Sequence, residues 1–126
     1  VIVAPIGEEI VFRGFLQKFL EEYWKDITRA VLVTSLFFAI IHFNPFWTIQ
    51  IYILGVLLGF LSWKTKSVIP SIMLHSINNG LAYILSIYDD INLNFYLWND
   101  HVSPIFIFIA VCLIYKGLEG LNITEV

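Results

Sequence analysis

Charge is scarce in this chain. Only 13% of its 126 residues are Asp, Glu, Lys or Arg, and 59% are hydrophobic. A soluble domain carries about twice that share of charge. A domain this small also buries only about two-thirds of its unfolded surface, so much of its oil would face water. A bilayer is the better solvent for this composition. There is one cysteine, Cys112, which excludes an intrachain disulfide and reports nothing on redox compartment. There is no basic cluster, which excludes an electrostatic nucleic-acid footprint, and the net charge of −3 is too small to define a partner. There is one methionine, Met73, and the chain opens inside an apolar stretch. It therefore reads as a C-terminal fragment of a longer membrane protein, with no assessable signal peptide.

What is present is long uncharged runs. The stretches Ala30 to Trp63 and Ser67 to Tyr88 contain no Asp, Glu, Lys or Arg. Each is long enough to cross a ~30 Å hydrocarbon core at 1.5 Å per residue. The expected fold is all-α: a polytopic transmembrane bundle forming one membrane-embedded core over residues 1–126. About five helical segments are expected, over 1–24, 28–43, 46–63, 67–88 and 103–115. Asn44-Pro45 ends the second, because a residue before proline avoids the helical region. Ser67 and Ser103 serve as N-caps, with Pro70 and Pro104 in first turns. The segment Asp89 to His101 reads as a polar loop.

The connections set an orientation. Lys18, Lys25 and Arg29 surround the first turn, Lys64 and Lys66 the third, and Lys116 follows the fifth helix. Asn44-Pro45 and Asp89 to His101 carry no Lys or Arg. This alternation places the cationic side in the cytoplasm of a multi-pass protein, in the bacterial cytoplasmic membrane. Trp24, Trp47, Trp63 and Trp98 fall near segment ends, where an aromatic belt sits. Gly55-Val-Leu-Leu-Gly59 has the small-xxx-small spacing that lets helix backbones approach closely, or is simply two glycines tolerated in a membrane helix.

Polar groups at membrane depth then need an account, since a charge at a helix centre costs about 3 kcal/mol on insertion scales. In GEEIVFRG, Glu9 and Arg13 are four residues apart and can neutralise each other on one face. Glu8 is rotated about 100° away and has no partner on its own helix. The bland alternative is a frayed, wet helix end. His42 ends the run Phe38-Ala-Ile-Ile-His42 and could be an ordinary interfacial histidine. In His75-Ser-Ile-Asn-Asn79, His75 and Asn79 share a face and Asn78 does not; the pair could simply join helices. Counted inward from the cationic side, Glu8 lies about 21 Å deep, His42 about 20 Å and His75 about 12 Å. Tilt can absorb the last difference. Together a carboxylate and an imidazole can deprotonate water, while a second imidazole and an amide can stabilise the oxyanion formed at an attacked carbonyl. That is a hydrolytic constellation for a peptide substrate at the membrane.

The three motifs, EExxxR in EEIVFR, FxxxH in FAIIH and HxxxN in HSINN, appear in that order. They resemble the CAAX-protease and bacteriocin-processing (CPBP, or Abi) family of intramembrane proteases, which includes type II CAAX prenyl endopeptidases. The resemblance implies that Glu8, assisted by His42, activates water. It implies that His75 and Asn79 form the oxyanion site and that Glu9 and Arg13 are structural. It implies a prenylated CAAX protein or a leader peptide as substrate, and membrane lipid as surroundings. The family has also been labelled metalloprotease. Glu8, His42 and His75 could supply three zinc ligands, but no HExxH spacing occurs, and a metal-free glutamate mechanism is the expectation. Competing functions are a non-catalytic membrane protein, such as a bacteriocin self-immunity factor or binding scaffold, and a bis-histidine haem or metal carrier.

Overall fold

The computed structural model describes residues 1–87, 97–98, 101–102 and 104–123. The described residues are almost entirely helical and divide into two compact units, Val1–Ser86 and Ile87–Val126. The first unit begins with α1 (Val3–Glu9), which runs without a break into a π-helical segment (Ile10–Gln17) and then α2 (Lys18–Trp24). It continues with α3 (Ile27–Ile40), α4 (Thr48–Thr65) and α5 (Ile69–Ile87). The second unit contains a two-residue antiparallel pairing, β1 (Leu97–Trp98) with β2 (His101–Val102), and α6 (Pro104–Ile123).

Local chemistry explains the helix ends. Asp26 caps α3: its carboxylate accepts from the Arg29 backbone N–H at 2.9 Å. Lys25 and Lys66 end α2 and α4 in the left-handed conformation, which closes a helix by turning the chain. The Ser67 hydroxyl accepts from the Ile69 N–H at the entry to α5. Two expected ends move. The second helix was expected to reach Phe43, but α3 stops at Ile40, and Phe43 takes φ 49° before Asn44-Pro45. His42 thus lies on a turn rather than inside the helix. The last helix was expected to stop at residue 115, but α6 continues to Ile123, since Gly117 and Gly120 do not break it. The polar loop expected over Asp89 to His101 falls mostly outside the described residues, as does the Ser103 cap.

One described helix, α4, is long and apolar enough by itself to cross a membrane; Ile27–Ile40 and Phe108–Gly117 are shorter apolar helices. The interior is polar and the outside is oily. Glu9, Arg13, Gln17, Thr34, Ser35, Ser62, Ser71 and His75 are buried, against the hydrophobic residues Phe12, Ala30, Val31, Phe38, Ala39 and Leu58. Meanwhile Phe15, Phe46, Ile49, Ile53 and Ile69 are well over half exposed. Water-soluble cores sort the other way.

The main packing is α3 against α4, with Phe38 and Leu58 fully buried. Two glycines make the approach possible. A Cβ on Gly55 would sit 3.1 Å from Ser35 Cβ, and one on Gly59 would sit 2.8 Å from Gln17 Oε1 and 3.1 Å from Val31 Cγ1. The same bareness opens two α4 carbonyls. Arg13 Nη2 donates to Gly55 O at 2.9 Å and Gln17 Nε2 donates to Gly59 O at 3.0 Å. The Ser71 hydroxyl reaches Leu58 O at 2.8 Å and fastens α5 to α4.

Candidate functional site

The centre lies where the N-terminal helix meets α5 and the turn after α3. Glu9 and Arg13 form an ion pair, Nη1 to Oε1 at 2.9 Å, with both side chains fully buried. Arg13 also lies over the Phe38 ring, 4.3 Å from its centroid, so the guanidinium is held on three sides. Gly55 O satisfies its second amino group, so both amino groups of the cation have partners, while Nε has none among the described residues.

Glu9 does more than neutralise Arg13. The same oxygen, Oε1, is 2.9 Å from His75 Nδ1. A carboxylate can only accept, so the proton between them sits on Nδ1. That leaves the other ring nitrogen, Nε2, turned the opposite way, 3.7 Å from Glu8 Oε2. The contact between Glu9 and His75 was not legible in the sequence, because sixty-six residues separate the two. Spacing signals reach only partners on the same helix.

His42 is oriented by the same logic. Its Nδ1–H donates to Phe38 O at 2.6 Å, one turn back along the chain. Its Nε2 then faces Glu8 Oε2 at 3.9 Å. The His42 and Glu8 side chains are each about 30% exposed, whereas that of His75 is 3% exposed. Glu8 Oε2 is itself enclosed and, among the described residues, has no hydrogen-bond partner. It lies between two imidazole nitrogens at distances a bridging water could span, which is the usual answer for polar atoms beyond 3.5 Å.

A cavity of about 550 Å³ opens beside the two imidazoles. It is lined by His42, His75 and Asn79, with Phe38, Trp47 and Leu54 on its apolar wall. The structure thus brings Glu8, His42 and His75 together and puts Asn79 on the same cavity. Asn78, separated from His75 and Asn79 by the helical-wheel reading, also lines it. The opening is wide enough to take in two adjacent positions of α5.

Zinc can be tested against this geometry. Tetrahedral ligands about 2.0–2.2 Å from the ion lie roughly 3.4 Å apart. The separations from Glu8 Oε2 to the two Nε2 atoms, 3.9 and 3.7 Å, are wider. Among the described residues, no group of three or more His, Cys, Asp and Glu is arranged to hold a metal ion. As placed, the three side chains are spaced wider than the ligands of a regular tetrahedral zinc site.

A helical protein with an oily exterior and a buried acid–imidazole cluster beside a cavity belongs to the class of membrane-embedded helical proteins with a polar centre. The comparison of families is more specific. The profile of the family described as "Type II CAAX prenyl endopeptidase Rce1-like" matches residues 1–81. The chain belongs to this Rce1-like family, and the matched region holds EEIVFR, FAIIH and HSINN in full. No curated protein and no solved structure matches the chain.

Proposed function

We propose that the chain is the catalytic core of a multi-pass intramembrane endopeptidase acting on a prenylated CAAX protein. The observation that carries this is the meeting of Glu8 Oε2 with the Nε2 atoms of His42 and His75 at the cavity holding Asn79. Family membership supports the reaction class. The oily exterior supports the membrane setting, with the cationic loops in the cytoplasm.

Glu8 takes a proton from a water molecule held between it and His42. His42 Nε2, bare because Nδ1–H is engaged by Phe38 O, accepts the water's other hydrogen. The hydroxide attacks the scissile carbonyl carbon. The carbonyl oxygen becomes an oxyanion and is stabilised by the Asn79 amide and His75. His75 can donate from Nε2 only when its ring carries both protons. Glu9, accepting from Nδ1, holds the ring so that Nε2 faces Glu8. Collapse of the tetrahedral intermediate breaks the C–N bond, and the leaving amine takes its proton from Glu8. The chain's own carboxylates and imidazoles account for every proton in this scheme.

The test is cleavage of an internally quenched farnesylated peptide ending in a CAAX sequence, by protein reconstituted in lipid. Wild-type protein cleaves it. Glu8→Ala lowers kcat about 100- to 10,000-fold, the range of a lost general base. Retention of cleavage by Glu8→Ala would remove Glu8 from the chemistry.

A further inference from the structure

The cavity has three polar residues that the hydrolytic scheme does not use: Asn44, Gln50 and Asn78. They come from three places: the turn after α3, the first turn of α4 and the middle of α5. All three are carboxamides. Among the described residues, the lining holds no Asp, Glu, Lys or Arg; Glu8 adjoins the cavity only through His42 and His75.

A carboxamide has the hydrogen-bonding equipment of a peptide unit, with both donor and acceptor on one flat group. The free capacity of each can be read from its contacts. Asn44 Oδ1 accepts from the Phe46 N–H, which leaves its NH₂ free to donate. Asn78 Nδ2 donates to Asn79 Oδ1 at 3.4 Å, which leaves Asn78 Oδ1 free to accept and Asn79 Nδ2 free to donate. The Gln50 side chain has no hydrogen-bond partner among the described residues and keeps both functions. Donors and acceptors are therefore interleaved around one opening. Gln50 and Asn78 are also exposed amides on helices that are otherwise apolar outward. Such groups are costly against lipid and belong on a wet cavity.

An extended peptide entering this cavity presents N–H and C=O groups that lose their water. Each must find a partner or pay a desolvation cost. We infer that Asn44, Gln50 and Asn78 bind the main chain of an extended peptide substrate, so that the site recognises backbone rather than charged side chains. This rests on the endopeptidase reading above and adds the mode of recognition. Asn78 has a second part: its bond occupies Asn79 Oδ1 and leaves the Asn79 NH₂ free to donate to an oxyanion at the cavity.

The experiment measures binding and turnover separately. Binding of a fluorescent farnesylated CAAX peptide is measured on Glu8→Ala protein, with and without Gln50→Leu or Asn78→Leu. Each of these exposed amides can be replaced without disturbing the core. Loss of one neutral hydrogen bond weakens binding roughly two- to twelvefold. In protein with Glu8 intact, the same variants raise KM by that factor, and Asn78→Leu also lowers kcat. A substrate N-methylated on the residues flanking the scissile bond provides the cross-check. Its defect and that of Gln50→Leu should not add, because both remove one contact. Unchanged peptide affinity in both leucine variants overturns the inference. So does an alanine scan of substrate side chains that alters affinity more than N-methylation does. Full cleavage by Glu8→Ala would instead overturn the catalytic reading, and the binding arm would still report on the clamp.

Discussion

Replacing Arg13 with methionine should be among the most damaging single changes in the protein. Arg13 is buried, and the substitution removes its bond to Glu9, its bond to Gly55 O and its place over Phe38. Methionine replaces the arginine stem but leaves the guanidinium's space over Phe38 unfilled, which adds a packing cost. The large cost is electrostatic. Glu9, with no exposed surface, keeps a carboxylate that only the His75 N–H still satisfies. Breaking a buried pair from one side costs about 3–5 kcal/mol. For a domain of this size that corresponds to a fall in Tm on the order of 10 °C or more. The double variant Arg13→Met with Glu9→Gln removes both charges, keeps an acceptor for His75, and should recover most of the loss, since a pair replaced as a unit is often close to neutral. The assay is thermal unfolding of purified protein in detergent micelles, followed by near-UV circular dichroism. A single variant that unfolds within 2 °C of wild type would refute the reasoning. So would a double variant no more stable than the single one.

Other outcomes follow from the same geometry. Gly55→Ala drives a methyl to within 3.1 Å of Ser35 Cβ and should destabilise the α3–α4 packing by about 1–3 kcal/mol in denaturant titration. Ser71→Ala leaves Leu58 O without its hydroxyl partner and should cost about 1 kcal/mol by the same measurement. Glu9→Gln should lower kcat on the farnesylated peptide more than it changes KM, and should shift the ¹⁵N resonance of His75 Nδ1. An unaltered His75 spectrum would show that Glu9 does not set that ring. In a metal-free reaction, prolonged dialysis against a zinc chelator should leave turnover intact, and loss restored specifically by zinc would reverse that expectation.

The class of the helices and the identity of the polar groups were legible early because both depend on local pattern. Glu9 and Arg13 are one helical turn apart, so spacing alone pairs them. Glu8 next door points elsewhere for the same geometric reason. The π-helical stretch over Ile10–Gln17 gave no such signal, and neither did the end of α3 at Ile40, where the chain turns before Asn44-Pro45. Each depends on how a segment packs against its neighbours.

By itself the sequence determined that an apolar chain would form helices and that its few charges would need internal partners. It also carries EEIVFR, FAIIH and HSINN, all inside the region that the Rce1-like family matches. Only the tertiary structure decided which groups from different helices meet. It put Glu9 on His75 Nδ1, and through that bond it turned His75 Nε2 toward Glu8. It bared the Gly55 carbonyl to Arg13 and gathered Asn44, Gln50 and Asn78 around one cavity. Those contacts join residues far apart in the chain, and their geometry is set by helix packing, which no local pattern encodes.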